Sequence, residues 1–390
     1  MTPSALAIVA EGRAAALEVL LYNSRNGRNN LPRTAAWGYP EPYTRDLLIA
    51  SLGILVSGNR ELMASHARVL KTLAKNQSPL GHVPSLIDAP DDRGASDTTP
   101  LFLLSLAWYR RATGKASFLA SAARKSLTWM AYQSPDDTVA VAQQPTSDWR
   151  DEQWVEGYGL FVNTLVYGFL RLHGQTERAQ QIKVLMNRFD IQRRNRRPFV
   201  HAGLAVPHKP YLALWVYKIS KSERFDLLGN SLAILTGIAS PSRSRHLVTW
   251  IEHECTSLRK RGLLRVQLPP CLLPYVRHSD PDWRPRYAQF NMPGEYHNGG
   301  VWPFVCGFYV AALVAARRFR LAEASLLALT ALIRPAREAR VAFGFNEWFK
   351  AQDGKPRGQD WQTWSASMYL YAAECVATRR TPFFEEIRNA

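Results

Sequence analysis

The stretch Asp97-Thr98-Thr99-Pro100-Leu101-Phe102-Leu103-Leu104-Ser105-Leu106-Ala107-Trp108-Tyr109-Arg110-Arg111 decides the fold. Asp97 or Thr98 is placed to cap a helix, and Pro100 falls in its first turn. The run that follows is too long and too rich in leucine for a buried strand. Apolar residues dominate it, as in a helix buried on all sides. Leu47–Val56, Leu160–Leu172, Leu227–Ile238, Val301–Ala316 and Ser365–Ala377 read the same way. Between them, Glu61–Lys75, Ala116–Tyr132, Glu177–Arg188, Arg243–Arg259 and Leu321–Ile333 carry apolar stripes and charged faces. Alternation of this kind predicts an all-α protein of stacked helix pairs, with inner helices buried on every side and outer helices on one. No linker or low-complexity segment interrupts the pattern, so residues 1–390 form a single predicted domain.

Composition narrows the class. The chain has 390 residues, 46% hydrophobic and 21% charged, which is the make-up of a soluble globular protein. No apolar run approaches the roughly 18 residues that span a bilayer, so no membrane partner is expected. Residues Met1–Leu21 are amphipathic, carry Glu11 and Arg13 and lack a basic n-region, which argues against a signal peptide. Cys255, Cys271, Cys306 and Cys375 are widely spaced with no CxxC pair, as expected of free thiols in a reducing cytosol. A cytoplasmic location is the resulting expectation. The formal net charge is +17, with basic runs at Arg193–Arg197 and at Arg259-Lys260-Arg261 through Arg265. Clustered cations bind phosphate, but no nucleic-acid motif accompanies them, so a solvated basic face is the preferred reading and no nucleic-acid partner is expected. An anionic sugar substrate is a weaker third option. Homo-oligomerisation is left open.

Function is concentrated at the starts of the apolar helices. Asp46, Asp97, the Asp148–Glu152 cluster, Asp226, the Glu295–Asn298 stretch and Asp360 precede or open them. Capping accounts for one acid per helix, but not for the aromatic and amide residues alongside. If the inner helices close into a ring, their N-terminal ends share one mouth, where these residues converge. Gly38-Tyr39-Pro40-Glu41-Pro42-Tyr43-Thr44-Arg45-Asp46 packs aromatics, proline and charge before the first apolar helix and could clamp hydroxyls through Arg45 and Asp46. In Ser147-Asp148-Trp149-Arg150-Asp151-Glu152, Asp148 and Asp151 are three apart and would share a helical face. Crowded carboxyls raise each other's pKa, which suits a general acid, while Arg150 acts in the opposite sense. Asp151 is the expected acid, with Asp148 as its partner or as a sugar ligand. Glu295-Tyr296-His297-Asn298-Gly299-Gly300-Val301-Trp302 offers hydrogen-bonding side chains and glycines. It lacks a second histidine at ligand spacing, so neither a metal nor any other cofactor is expected. Glu347, isolated among aromatics in Phe345-Asn346-Glu347-Trp348, suits a base held near one water. Gln362 and Trp364 follow in Gln362-Thr363-Trp364. Tryptophan faces stack on sugars, and Trp149, Trp302 and Trp364 are candidates for that role.

In this order the segments resemble glycoside hydrolase family 100, the alkaline/neutral invertases, and more widely other (α/α)6-toroid glycosidases such as amylo-α-1,6-glucosidases. The similarity runs through Tyr43–Asp46, Ser96–Phe102, Arg224–Ile234, His297–Pro303 and Gln362–Ser365. It implies an (α/α)6 toroid and an inverting, metal-free hydrolysis of an α-glucosidic bond, with a small sugar, most readily sucrose, as substrate. Asp151 would be the acid and Glu347 the base, standing roughly 6.5–9.5 Å apart to admit a water. Tyr43, Arg45, Asp46, Asp97, Asp148, Trp149, Glu295, His297, Asn298, Trp302, Gln362 and Trp364 form the expected substrate-binding set. Around the acid, Trp149-Arg150-Asp151-Glu152 departs from the invertases and is more similar to the debranching-type glucosidases. A branch-cleaving or small-glucoside hydrolase is therefore the alternative, and a non-catalytic carbohydrate- or polyanion-binding toroid is the alternative from another class.

Overall fold

The computed structural model describes residues 1–134, 139–187, 203–217, 220–338 and 341–389. The Arg193–Arg197 run lies outside them. Inner helices form at Thr44–Ile49 with its continuation Ser51–Ser57, then at Thr98–Thr113, Leu160–Leu172, Leu227–Thr236, Pro303–Ala315 and Thr363–Thr378. Each packs on the next and the last returns to the first, so the ring is closed. The helices Leu227–Thr236 and Pro303–Ala315 are buried almost throughout, as their uniformly apolar sequences require. Outer helices Arg60–Lys75, Ala120–Ala131, Thr176–Asn187, Pro241–Lys260 and Phe319–Ile333 bury one stripe each. The amphipathic N-terminus supplies a sixth outer helix, Pro3–Arg25, packed on Thr363–Thr378 and Phe319–Ile333. The fold is the expected all-α (α/α)6 toroid.

Two features go beyond the expectation. Rim loops pair into a four-stranded antiparallel sheet, Tyr158–Gly159, Ala213–Tyr217, Ser220–Asp226 and Leu272–Leu273. Two of these strands run directly into the inner helices Leu160–Leu172 and Leu227–Thr236, which fixes where those helices begin. The first inner helix is interrupted at Ala50, and the seam of the ring is built on that break. Ser367 Oγ donates to Ala50 O at 2.5 Å and accepts from Gly53 N at 3.0 Å. Gly53 permits the approach, since a Cβ there would lie 2.0 Å from Ser367 O. Asn23 of the N-terminal helix bonds Trp361 O at 2.8 Å and Thr363 Oγ1 at 2.9 Å, tying the N-terminal helix to the start of the sixth inner helix. Among the described residues, no helix is long and apolar enough to cross a membrane, and all four cysteines are buried and unpaired.

Gly53→Ala is expected to lower unfolding stability by about 1–3 kcal/mol through overpacking at the seam. Denaturant unfolding measures it; a wild-type midpoint would mean that the seam is not tightly packed.

Candidate active site

The N-terminal ends of the inner helices converge on a cavity of about 200 Å³. Tyr43, Arg45 and Asp46 reach it from the start of the first inner helix, and Gln362 and Trp364 from the start of the sixth. Trp149 and Asp151 come from the loop before the third, and His297 and Trp302 from the approach to the fifth. Glu347 lies in the loop before the sixth. On a ring of six, the third and sixth positions are opposite, so the loops that carry Asp151 and Glu347 come from opposite sides of the ring.

Aromatic rings lock the floor. Trp149 and Trp302 are each 1% exposed and meet edge to face at 5.5 Å between centroids. The His297 ring stacks on Trp302 at 5.3 Å and meets Trp149 edge-on at 5.2 Å. Phe304 stacks on Trp364 at 4.0 Å. Four buried atoms of lining residues, Trp149 Nε1, His297 Nδ1, Gln362 Oε1 and Trp364 Nε1, lack a hydrogen-bond partner among the described residues. Buried polar atoms are normally satisfied, so four unmet ones around a single cavity suit a polar ligand. Tyr296, Phe345 and Trp361 hold φ of 42°, 41° and 54°, a sparsely populated region for side chains of this size. Each lies within two residues of His297, Glu347 or Gln362, and together they set the direction of these site segments.

Glu347 is 5% exposed. Its Oε2 accepts from Gln359 N at 3.1 Å, and its backbone N–H donates to Gln359 O at 2.9 Å. Gly358 makes that turn possible: its φ is 70°, and a Cβ would fall 2.2 Å from Glu347 Oε2. Burial lifts the Glu347 carboxyl to about 8, helped by the nearby charges of Asp46 and Asp151 and opposed by the Gln359 hydrogen bond. Burial also lifts Asp46 to about 7, against Arg45 and with Asp151. Asp151 stands at the open side with its side chain 56% exposed, so solvent screens part of its surroundings. Its pKa is still raised, chiefly by the protein mass around the pocket, with Arg45 pulling it down and Glu152 and Asp148 pushing it up. Arg45 Nη1 is 4.0 Å and His297 Nε2 3.9 Å from the Asp151 carboxylate. Burial, then Arg150 and Arg45, hold the His297 pKa well below its ordinary value, so the ring beside Asp151 is neutral.

Four residues expected to touch substrate do not line the cavity. Asp97 is fully buried and accepts from Arg45 Nε at 2.5 Å, making it the anchor of a lining residue. It occupies the N-cap position of Thr98–Thr113 without making the side-chain cap bond. Asp148 is turned inward, accepting from Gln143 Nε2 at 2.9 Å and Arg150 N at 2.7 Å. Glu295 pairs with Lys350 Nζ at 2.5 Å. Asn298 clamps the backbone of Val276, accepting from its N–H at 2.6 Å and donating to its carbonyl at 2.8 Å. Arg150, read from the sequence as a neighbour depressing the Asp151 pKa, points into the core instead. It bonds Asp226 Oδ1 at 2.6 Å with both side chains inaccessible, and lies 4.3 Å from the Trp149 ring centroid. Arg45 is the cation that faces Asp151. Thr34, Tyr39 and Tyr296 also line the cavity, although the sequence reading did not place them in the binding set. Tyr39 and Tyr296 stand inside the segments singled out by their aromatic and glycine content; Thr34 carries no comparable signal.

Comparison with known proteins places this architecture. The family model for alkaline and neutral invertases matches residues 177–378, more than half of the chain. The chain belongs to that family. The matched segment holds His297, Trp302, Glu347 and Trp364, whereas Asp46 and Asp151 precede it. Cytosolic invertase 1 of Oryza sativa subsp. japonica is 27% identical over 159 residues, 38% of this chain and 25% of that protein. Probable alkaline/neutral invertase F of Arabidopsis thaliana is 28% identical over 156 residues, again 38% of this chain and 28% of its own length. The matches thus span only about a quarter of these relatives. The mannosylglycerate hydrolase of Thermus thermophilus, solved with Tris and D-glycerate, superposes with a TM-score of 0.65 at 16% identity. That alignment covers 92% of this chain and 99% of the other. A glycosidase variant in complex with glucose gives 0.64 at 14% identity over 97% and 99% of the two chains. At these identities the likeness establishes the fold.

The raised Glu347 pKa has a consequence for stability. The native state keeps this proton up to about 8, while the unfolded carboxyl, at its ordinary value of 4.5, has lost it earlier. Stability therefore falls as pH rises between those two values. Glu347→Gln removes the penalty, so the variant is expected to melt above wild type at about pH 8–9, by on the order of a few kcal/mol, and to converge on it near pH 5. An offset that does not change with pH would contradict the assignment.

Proposed function

We propose that this protein is an inverting glycoside hydrolase that releases one glucosyl unit from a small α-glucoside, with sucrose the first substrate to test. The observation that carries the proposal is the presence of Asp151 and Glu347, on loops from opposite sides of the ring, in the lining of one small aromatic-floored pocket. Two facing carboxyls are what inversion needs, one on the leaving-group side and one behind the anomeric carbon. Asp151, at the open side, gives its proton to the glycosidic oxygen as the bond to the anomeric carbon breaks. Arg45 stabilises the carboxylate that remains. Glu347, seated against Gln359 N, takes a proton from a water that attacks the opposite face of the same carbon. Asp46 and neutral His297 hold sugar hydroxyls, and the tryptophan floor receives the C–H face of the ring. A cavity of about 200 Å³ accommodates one sugar ring and supports a small substrate over a long glucan. The four buried free thiols support a cytoplasmic location.

Asp151→Asn and Glu347→Gln are each expected to cut kcat on sucrose by about 10²–10⁴-fold or more while the protein remains folded. A panel adding isomaltose, panose, trehalose and glucosylglycerate identifies the leaving group. Because both carboxyl pKa values are raised, the singly protonated pair persists to higher pH than ordinary acids allow. Wild-type kcat/KM should therefore be greatest near or above about pH 8, where Glu347 is ionised, and fall at lower pH as Glu347 takes up its proton. Wild-type turnover in either variant, or an optimum near about pH 4–5, would overturn the assignment.

A further inference from the structure

The basic run at residues 259–265 is not used by the pocket, and the fold gives part of it a distinct setting. Arg261 lines a groove of about 490 Å³ together with Lys209 and Arg277, and this groove shares no lining residue with the active-site cavity. All three side chains are exposed, and none makes an ion pair or side-chain hydrogen bond among the described residues. That is unlike the larger cleft at the opposite helix ends, where Arg111 pairs with Glu386 at 2.8 Å and Arg380 with Glu385 at 2.7 Å. Three cations without an ion-pair partner around one concavity attract a compact anion, and guanidinium groups match phosphate oxygens in bidentate geometry.

The remaining lining defines what else the ligand carries. Trp250 is partly buried and braced by Tyr211 at 4.6 Å and Phe225 at 5.0 Å between ring centroids, giving a fixed aromatic surface beside the cations. The Tyr211 hydroxyl makes no hydrogen bond among the described residues and so can serve a ligand. Glu254 is the one carboxylate in the groove; it would repel a bare anion but accepts hydroxyl donors. An aromatic face, a carboxylate and a phenol suit a polyhydroxylated ring, while the cations suit its charged substituent. We propose that this groove is a second binding site, for a phosphorylated monosaccharide, separate from the hydrolytic pocket.

Calorimetric titration of the full chain with glucose 6-phosphate, inorganic phosphate and glucose tests this. Glucose 6-phosphate is expected to bind at least about tenfold more tightly than inorganic phosphate, and each of Arg261→Ala and Arg277→Ala should weaken it by about tenfold. Both residues are exposed, so thermal midpoints should stay at the wild-type value and separate lost binding from lost folding. Glucose bound in the hydrolytic pocket is distinguished because its affinity should be unchanged in these variants. Equal affinities for phosphate and glucose 6-phosphate, or undiminished glucose 6-phosphate binding in the double variant, would overturn the proposal.

Discussion

Closure of the inner ring is the constraint on which everything else depends. Six helices buried on all sides leave polar groups little place except at their ends and in the loops that reach them. The seam between Ser51–Ser57 and Thr363–Thr378 completes the circle through Ser367, Gly53 and the Ala50 carbonyl. Once it is closed, residues as far apart in sequence as Tyr43 and Trp364 share one cavity wall. The cavity draws its lining from five separate stretches, 34–46, 149–151, 296–302, 347 and 362–364, because the topology brings each inner helix back with its N-terminus on the same side.

The same burial that stabilises the ring makes its mouth electrostatically costly. Glu347 and Asp46 are almost sealed from water, and their carboxyls are pushed up to about 8 and about 7. Arg45 tempers this, held from behind by buried Asp97 and facing Asp151 in front. Arg150, a fully buried cation, is paired with Asp226, and burial, with Arg150 and Arg45 adding to it, keeps His297 uncharged. Asp226 also caps Leu227–Thr236, accepting from Leu228 N and Gly229 N at 3.1 Å each. The loop bearing Asp151 is thus tied to the start of the neighbouring inner helix. Removing either partner of such a buried pair exposes the other to the full desolvation penalty.

Much of this was legible in the sequence, and the rest fails for identifiable reasons. Uniformly apolar helices announce an inner ring because only full burial tolerates them. The N-terminal outer helix is less visible: its buried stripe of Val9, Gly12, Ala16, Val19, Leu20 and Asn23 mixes small and polar residues with few large ones. Of the rim strands, Tyr158–Gly159 and Leu272–Leu273 are two residues long and pair with distant segments. Ala213–Tyr217 and Ser220–Asp226 pair with each other but do not alternate cleanly between buried and exposed residues, so no period-2 signal marks any of the four. At the site, the residue types that bind a sugar are also those that satisfy a buried backbone. Asn298 and His297 are adjacent, yet one clamps Val276 and the other faces the cavity. Asp148 and Asp151 diverge in the same way. The spacing of acids at helix starts locates the mouth, but side-chain direction depends on which backbone groups a loop leaves unpaired.

The central claim is that the facing carboxyls act on opposite sides of one anomeric carbon. The most direct measurement is proton NMR of the glucose released in the first seconds of sucrose hydrolysis, before mutarotation mixes the anomers. Direct displacement by water at the back face predicts β-glucose as the first product. α-Glucose would require a covalent glycosyl intermediate or attack from the leaving-group side, and would contradict the roles given to Asp151 and Glu347.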